Sequence, residues 1–310
     1  MTLLTALVLA TTSGGFRGAY PVSEQVIGFV KTHLVEEDES LIEIARDYDL
    51  GYNAIVAANP TLDPFVPGTG ALATVPTAWI VPASAAPGTV VINLSEMRLY
   101  YTAPSDPPGL SWVVTFPIGV GDEGTETPLG SFTVVAREVN PVWYVPPSIR
   151  REDPDLPSSV PPGPDNPLGT HALKLSARNV LIHGTNRPFA VGRKASHGCL
   201  RLYPEDIPWV YRLVHVDTPV RIVREPVKVG VRERRVYVEV HDDDDAKLDL
   251  AATAQRLLVG RRLLDRVDPD ALAAALRAKS GVPTDVTRQP GQPGRGPQAA
   301  PEDTAARTPG

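Results

Sequence analysis

Apolar residues at 41, 44, 45 and 48 fall at the spacing of one helical face within the stretch 39–48. Ser40 precedes them and Glu43 follows three residues later, the pattern of a capping box, and Gly51 stops the helix. A second short helix is predicted over 53–58, ending at Asn59-Pro60, and a strand over 71–75. Beyond a linker-like ASAAPG at 83–88 the pattern becomes β-rich. Strands are predicted at 90–101, 111–120, 131–139, 171–175, 180–183 and 220–223, separated by turn clusters such as Gly121-Asp122-Glu123-Gly124. Short strands with Gly and Pro turns argue for a mainly β domain, a β-sandwich or partly closed barrel, rather than βαβ units. The clearest helix in this region is 204–214, with Pro204 near its start.

The same reading divides the chain. An N-terminal segment, 1–22, precedes a small α+β unit over 26–82; the main β domain covers 89–225. An extra strand at 236–240 and an acidic run, 242–245, make a solvated boundary over 226–245. A tail over 246–310 is helical at 247–267 and 270–278, the latter with Asp268 as N-cap and Pro269 at the first helical position. From Gly281 onward Pro, Gly, Gln and Thr dominate and disorder is expected. The Pro-rich stretch 140–162 carries Trp143, Tyr144, Arg150 and Arg151; a loop of that length reads as a flap over a substrate groove.

Composition narrows the function classes. A net charge of −6 over 310 residues offers no general basic field, so nucleic acid is not an expected partner. No apolar run reaches the length of a membrane-spanning helix. Residues 3–10 resemble the apolar core of a secretory signal, although no Lys or Arg precedes Arg17. A start placed too far downstream would account for the missing charge, and export is the expectation.

The chemistry concentrates in 181–203. This stretch holds the only cysteine, Cys199, with His183 and His197. A thiol is a few per cent ionised at neutral pH, and a neighbouring imidazole can take its proton. Gly184 and Gly198 allow tight turns at the same two places. Residues 180–182 read as a strand that delivers His183 to its end. A lone Cys is often a small buried hydrophobe. Two histidines and a thiol are also three zinc ligands, but His197 and Cys199 lie two apart and no CxxC accompanies them.

His183-Gly184-Thr185-Asn186, a spacer, then Ser196-His197-Gly198-Cys199-Leu200-Arg201-Leu202 resembles the signature of L,D-transpeptidases with the YkuD-type catalytic domain. Residues 91–101, Thr127-Pro128-Leu129-Gly130-Ser131-Phe132 and 163–169 are similar to other recurrent segments of that domain. The match is to the ErfK/YbiS-like branch, in which a LysM-like, peptidoglycan-binding module comes first. Residues 26–82 resemble one, except that the acidic run 36–39 replaces the usual Gly-Asp of its first turn.

The resemblance implies that Cys199 is the nucleophile, His183 the base, and the Gly184 carbonyl the partner of the other imidazole nitrogen. Backbone N–H groups of His197, Gly198 and Cys199 become the oxyanion donors, and Ser196 and Arg201 order the loop or hold a substrate carboxylate. It implies no metal and no organic cofactor. The partners are peptidoglycan stem peptides and, in this branch, an outer-membrane lipoprotein acceptor; the place is the periplasm. Water as acceptor would make a carboxypeptidase, a lipoprotein link as substrate an endopeptidase, and an inert Cys199 a wall-binding protein.

Overall fold

The computed structural model describes residues 18–21, 24–104, 111–243, 245 and 247–289. The expectations for 1–17 and 290–310 lie outside these. Nine strands form one mixed sheet in the order 19–21, 112–117, 98–103, 89–93, 219–223, 130–139, 171–175, 181–183 and 200–201. Two contacts are parallel, Pro219–Val223 with Thr89–Asn93 and Leu181–His183 with Leu200–Arg201; the others are antiparallel. The sheet curls until its ends meet. Gly119, just past the second strand in that order, forms an antiparallel bridge with Arg201 in the ninth, with N···O distances of 2.8 and 2.9 Å. The mainly β, partly closed barrel is therefore the fold.

Strand alternation separates two cores. Val90 and Ile92 enter the barrel with Phe116, Leu173, Ile182 and Leu200, and Ile207 and Val210 of the Ile207–Leu213 helix pack among them. Val91, with Tyr100 and Val113, faces the other way, against Leu41, Ile44 and Trp79 of the N-terminal unit. Burial on both faces is why 90–92 is a continuous apolar run.

The N-terminal unit pairs Val26–Gly28 with Ala78–Ile80 and Lys31–Leu34 with Leu72–Val75 around helices Leu41–Asp47 and Tyr52–Ala58. Both halves of the Ser40/Glu43 capping box form. The unit is fixed to the barrel through backbone: Tyr52 N–H donates to Val191 O and Asn53 N–H to Gly192 O, each at 3.2 Å. Gly192 has φ +78°, and a Cβ there would lie 2.2 Å from the Tyr52 nitrogen. Arg46 adds a two-pronged ion pair to Glu205 at 2.8 and 3.0 Å.

Beyond the barrel, the hairpin Val227–Arg232/Arg235–Val240 packs on helices Leu250–Gly260 and Pro269–Ala278 around a third core. The buried Lys228 ammonium meets Glu96 at 2.8 Å, Glu239 at 2.9 Å and the Ile80 carbonyl at 2.7 Å, so one cation joins all three units.

Several expectations are corrected. The run 90–101 is two strands, because Leu94 to Met97 turn, with Met97 at φ +51°. Gly119 breaks 111–120 at a bend between strands Trp112–Pro117 and Val120–Gly121. The helix expected over 247–267 ends at Gly260, and a short 3₁₀ turn follows at Leu264–Arg266. Residues 281–289 are not structureless: Thr284–Asp285 adds an edge strand to the third unit and Val286 is buried in its core. The acidic run is not merely solvated either. Asp243 accepts from Ser95 and Arg224, and Asp245 pairs with Lys194. Ala19–Pro21 of the expected leader is the edge strand of the main sheet. Among the described residues no helix is long and apolar enough to cross a membrane.

Candidate active site

The strands Leu181–His183 and Leu200–Arg201 run parallel, with Ile182 opposite Leu200 and His183 opposite Arg201. Ile182 and Leu200 point into the barrel core. By alternation His183 and Arg201 point the other way, and Cys199 immediately precedes the second strand of the pair. The Arg201 charge acts on both groups: it adds to the lowering that burial imposes on His183 and offsets part of the rise that burial imposes on Cys199.

His183 is 3% exposed, and its Nδ1 lies 2.6 Å from the Gly184 carbonyl. A carbonyl only accepts, so Nδ1 carries the proton and Nε2 is left with its lone pair. Burial and the nearby Arg201 charge lower the His183 pKa to about 4, against a smaller opposing effect of the Gly184 bond. The imidazole is therefore neutral at physiological pH, tautomer fixed, base end free. Gly184 has no room for a side chain, since a Cβ would lie 2.9 Å from Ile207 Cγ2 at the head of the underlying helix.

Cys199 is half-buried. Its thiol donates toward Asn179 O at 3.5 Å, and the Leu181 backbone hydrogen bond stabilises the thiolate. Burial outweighs that bond and the Arg201 charge, so the pKa is raised. The resting pair is thus thiol and neutral imidazole.

The turn that carries the thiol is clamped from one side. Ser196 Oγ donates to the Cys199 carbonyl at 2.6 Å. Thr127 Oγ1 donates to Gly198 O at 3.1 Å, Thr125 Oγ1 to Ser196 O at 3.1 Å, and Asp122 N–H to Ser196 O at 2.8 Å. Gly198 turns with φ +92°, a conformation that favours glycine. In a trans peptide the N–H points opposite to its C=O. With the Gly198 and Ser196 carbonyls held toward 122–127, the N–H groups of Cys199 and His197 point away from that clamp.

Residues 140–162 are built rather than structureless. Trp143–Tyr144 pairs with Ser159–Val160 around the helix Pro147–Glu152. Asn166, fully buried, ties the base through bonds to Pro141 O at 2.8 Å and Pro161 O at 3.1 Å. Glu152 at the end of that helix lies 3.0 Å from His197 Nε2, so the exposed His197 is turned toward the loop. Arg201 is half-buried beside the thiol. Of the residues expected in the site, His183 meets the Gly184 carbonyl and lies opposite Arg201, while the Cys199 thiol donates toward Asn179 O; sequence reasoning missed the hydroxyl clamp of Thr125 and Thr127, the Asn179 and Leu181 contacts of the sulfur, and Glu152. The group of acid and His atoms close enough to share an ion, among the described residues, is Glu96, Glu239 and His241, where Lys228 supplies the cation.

A family model for the YkuD L,D-transpeptidase catalytic domain matches residues 87–222. "Probable L,D-transpeptidase YcfS" of Escherichia coli K12 is 36% identical over 284 residues, covering 86% of this chain and 87% of that protein. The chain belongs to the L,D-transpeptidase family. "Probable L,D-transpeptidase ErfK/SrfK" of the same strain is 35% identical, covering 86% and 89% of the two chains, and YbiS is 39% identical over 204 residues, covering 64% and 65%. A solved L,D-transpeptidase from Mycobacterium smegmatis aligns at TM-score 0.31 and 23% identity, over 47% of this chain and 61% of that one. In this L,D-transpeptidase the matched segment contains the whole barrel except its first strand, and with it the thiol, the imidazole and the clamp.

Proposed function

We propose that Cys199 and His183 carry an acyl transfer on peptidoglycan stem peptides. The observation that carries this reading is the neutral, tautomer-fixed imidazole of His183 at the end of a strand that runs parallel to the one directly after Cys199. His183 Nε2 takes the thiol proton as Sγ attacks the donor carbonyl. The oxygen becomes an oxyanion facing the N–H groups of the 197–199 turn, a role worth about 2.7–4 kcal/mol per donor in comparable sites. Collapse expels the donor's amine, which leaves with the proton from His183, and a thioester remains. An incoming amine then attacks that thioester, His183 accepts its proton, and the proton returns to the departing sulfur.

The family supplies the substrate class: a tetrapeptide stem cleaved between diaminopimelate and the terminal D-Ala, joined to another diaminopimelate or to the C-terminal Lys of an outer-membrane lipoprotein. Export to the periplasm and a wall-binding role for the LysM-like unit 26–82 belong to the same reading. Ser196 serves it by pinning the turn, and Arg201 by offsetting part of the rise that burial gives the thiol pKa.

Purified protein incubated with tetrapeptide muropeptides tests the reading by mass spectrometry. Loss of D-Ala with dimer formation is the expected result, absent in Cys199→Ala. Loss of D-Ala without a dimer would assign a carboxypeptidase, and an unchanged mixture would overturn the proposal.

A further inference from the structure

A groove of about 590 Å³ opens where the N-terminal unit meets the loop 187–195. One wall is Ile42 and Phe65 of the N-terminal unit; the other is Phe189 and Ala195, with Arg187 and Arg193 set between them. Ala195 adjoins Ser196, whose Oγ holds the Cys199 carbonyl. Phe65 and Phe189 are 62% and 55% exposed, two phenyl rings that solvent alone gives no reason to keep there.

The two arginines set the chemistry. Arg187 is exposed and has no acidic partner among the described residues. Its charge reaches Arg201, whose pKa is lowered by burial and, more weakly, by Arg187. Arg193 stacks its guanidinium on the Tyr52 ring at 3.5 Å, and its buried Nε has no hydrogen-bond partner among the described residues. The acid at the rim, Glu43, is turned back onto Ser40, whose N–H and Oγ it accepts at 3.0 and 2.7 Å. A chain with a net charge of −6 therefore sets Arg187 and Arg193 together in one groove with no acidic partner among the described residues.

The groove is also preformed. Gly51 and Gly192 bring the two units into backbone contact, with no space for a Cβ on either, so its walls cannot drift apart without breaking that seat.

We infer that this groove is a subsite for the carboxylate-bearing part of a stem peptide, held by Arg187 and Arg193 and flanked by the two phenylalanine rings. The identity of the peptide rests on the function proposed above, whereas the recognition of a carboxylate rests on the groove alone. Planar guanidinium groups suit a carboxylate, and exposed charge pairing weakens with salt. The peptide so held is either the acyl donor or the amine acceptor.

Binding to Cys199→Ala protein, which cannot turn over, tests the subsite apart from catalysis. The probes are a synthetic stem tetrapeptide, the tripeptide lacking the terminal D-Ala, and each with its internal carboxylates converted to carboxamides. The expected result is that Arg187→Ala weakens the free-acid peptide about tenfold at low salt and leaves the carboxamide unaffected. Arg193→Lys, which keeps the charge, is expected to lose less than Arg193→Ala. A groove-dependent loss for the tetrapeptide only assigns the donor, and a loss for the tripeptide assigns the acceptor. Equal affinity of Arg187→Ala and the parent protein for the free-acid probes, or of the parent for acid and amide, would overturn the subsite. Failure of the wild-type protein to release D-Ala would count against the proposed reaction and leave this binding result standing. Iodoacetamide alkylation of Cys199 at an unchanged rate in Arg187→Ala shows that the fold around the thiol is intact.

Discussion

His183 shows how one buried ring ties reactivity to pH. Its pKa of about 4 lies below the ordinary 6.5, so the form that can accept a proton prevails through most of the acid range. The acid limb of kcat/KM is therefore expected near pH 4, where an unperturbed imidazole would place it near 6.5; a pH–rate profile checks this. The same shift has a cost to folding. Between these two values the unfolded chain binds a proton that the folded protein refuses, so stability rises with pH across that window and is lost as pH falls through it. The loss is about 3 kcal/mol when complete, and His183→Gln should flatten the pH dependence of the urea midpoint. Thr127 makes a second residue-scale case. Its hydroxyl holds Gly198 O and accepts from Gly121 N–H at 3.1 Å each. Thr127→Val is expected to cost about 1–3 kcal/mol and to lower kcat, with Thr127→Ser recovering most of both. The dyad was legible in the sequence because its chemistry needs rare residue types. Thr125 and Thr127 were not, since an ordinary turn threonine becomes a clamp only when a distant loop folds beneath it.

Among the elements, those with strictly local causes were the readable ones. The capping box at Ser40 and the Asp268-Pro269 helix start are satisfied within a few residues, and both form. The turn at 94–97 was hidden because Leu94 and Met97 are apolar and continue the strand pattern. The turn is held from outside itself: Asn93 donates to Glu225 O at 3.0 Å, Glu96 accepts from Lys228, and Met97 takes φ +51°. The strands Lys194–Ser196 and Leu200–Arg201 are too short to show any period. Docking of the N-terminal unit left no composition signal either, because its central contact is backbone against backbone. Gly192→Ala tests that contact: the left-handed φ alone costs about 1–2 kcal/mol and the clash with Tyr52 adds to it. A drop in melting temperature of several degrees is expected.

For the molecule as a whole, the cation at Lys228 decides whether three units behave as one. Burial opposes its charge, but Glu239 and Glu96 outweigh burial and raise the pKa. Lys228→Met leaves those carboxylates facing each other without a cation, and truncating one partner of such a buried pair costs about 3–5 kcal/mol. Calorimetry is expected to show a lower, broader transition, and adding Glu239→Gln to recover part of the loss. None of this could be read from the sequence, in which Lys228 is one more charge in an exposed-looking hairpin.

The bridge between Gly119 and Arg201 has one further consequence. It stitches the rims of the curled sheet from segments remote in the chain, and Cys199 sits two residues from the stitch. Long-range contacts of that kind form late, after the entropy of closing the intervening chain has been met. In the acyl-transfer reading proposed above, a half-finished barrel would hold an unassisted thiol, and joining the rims would complete its surroundings.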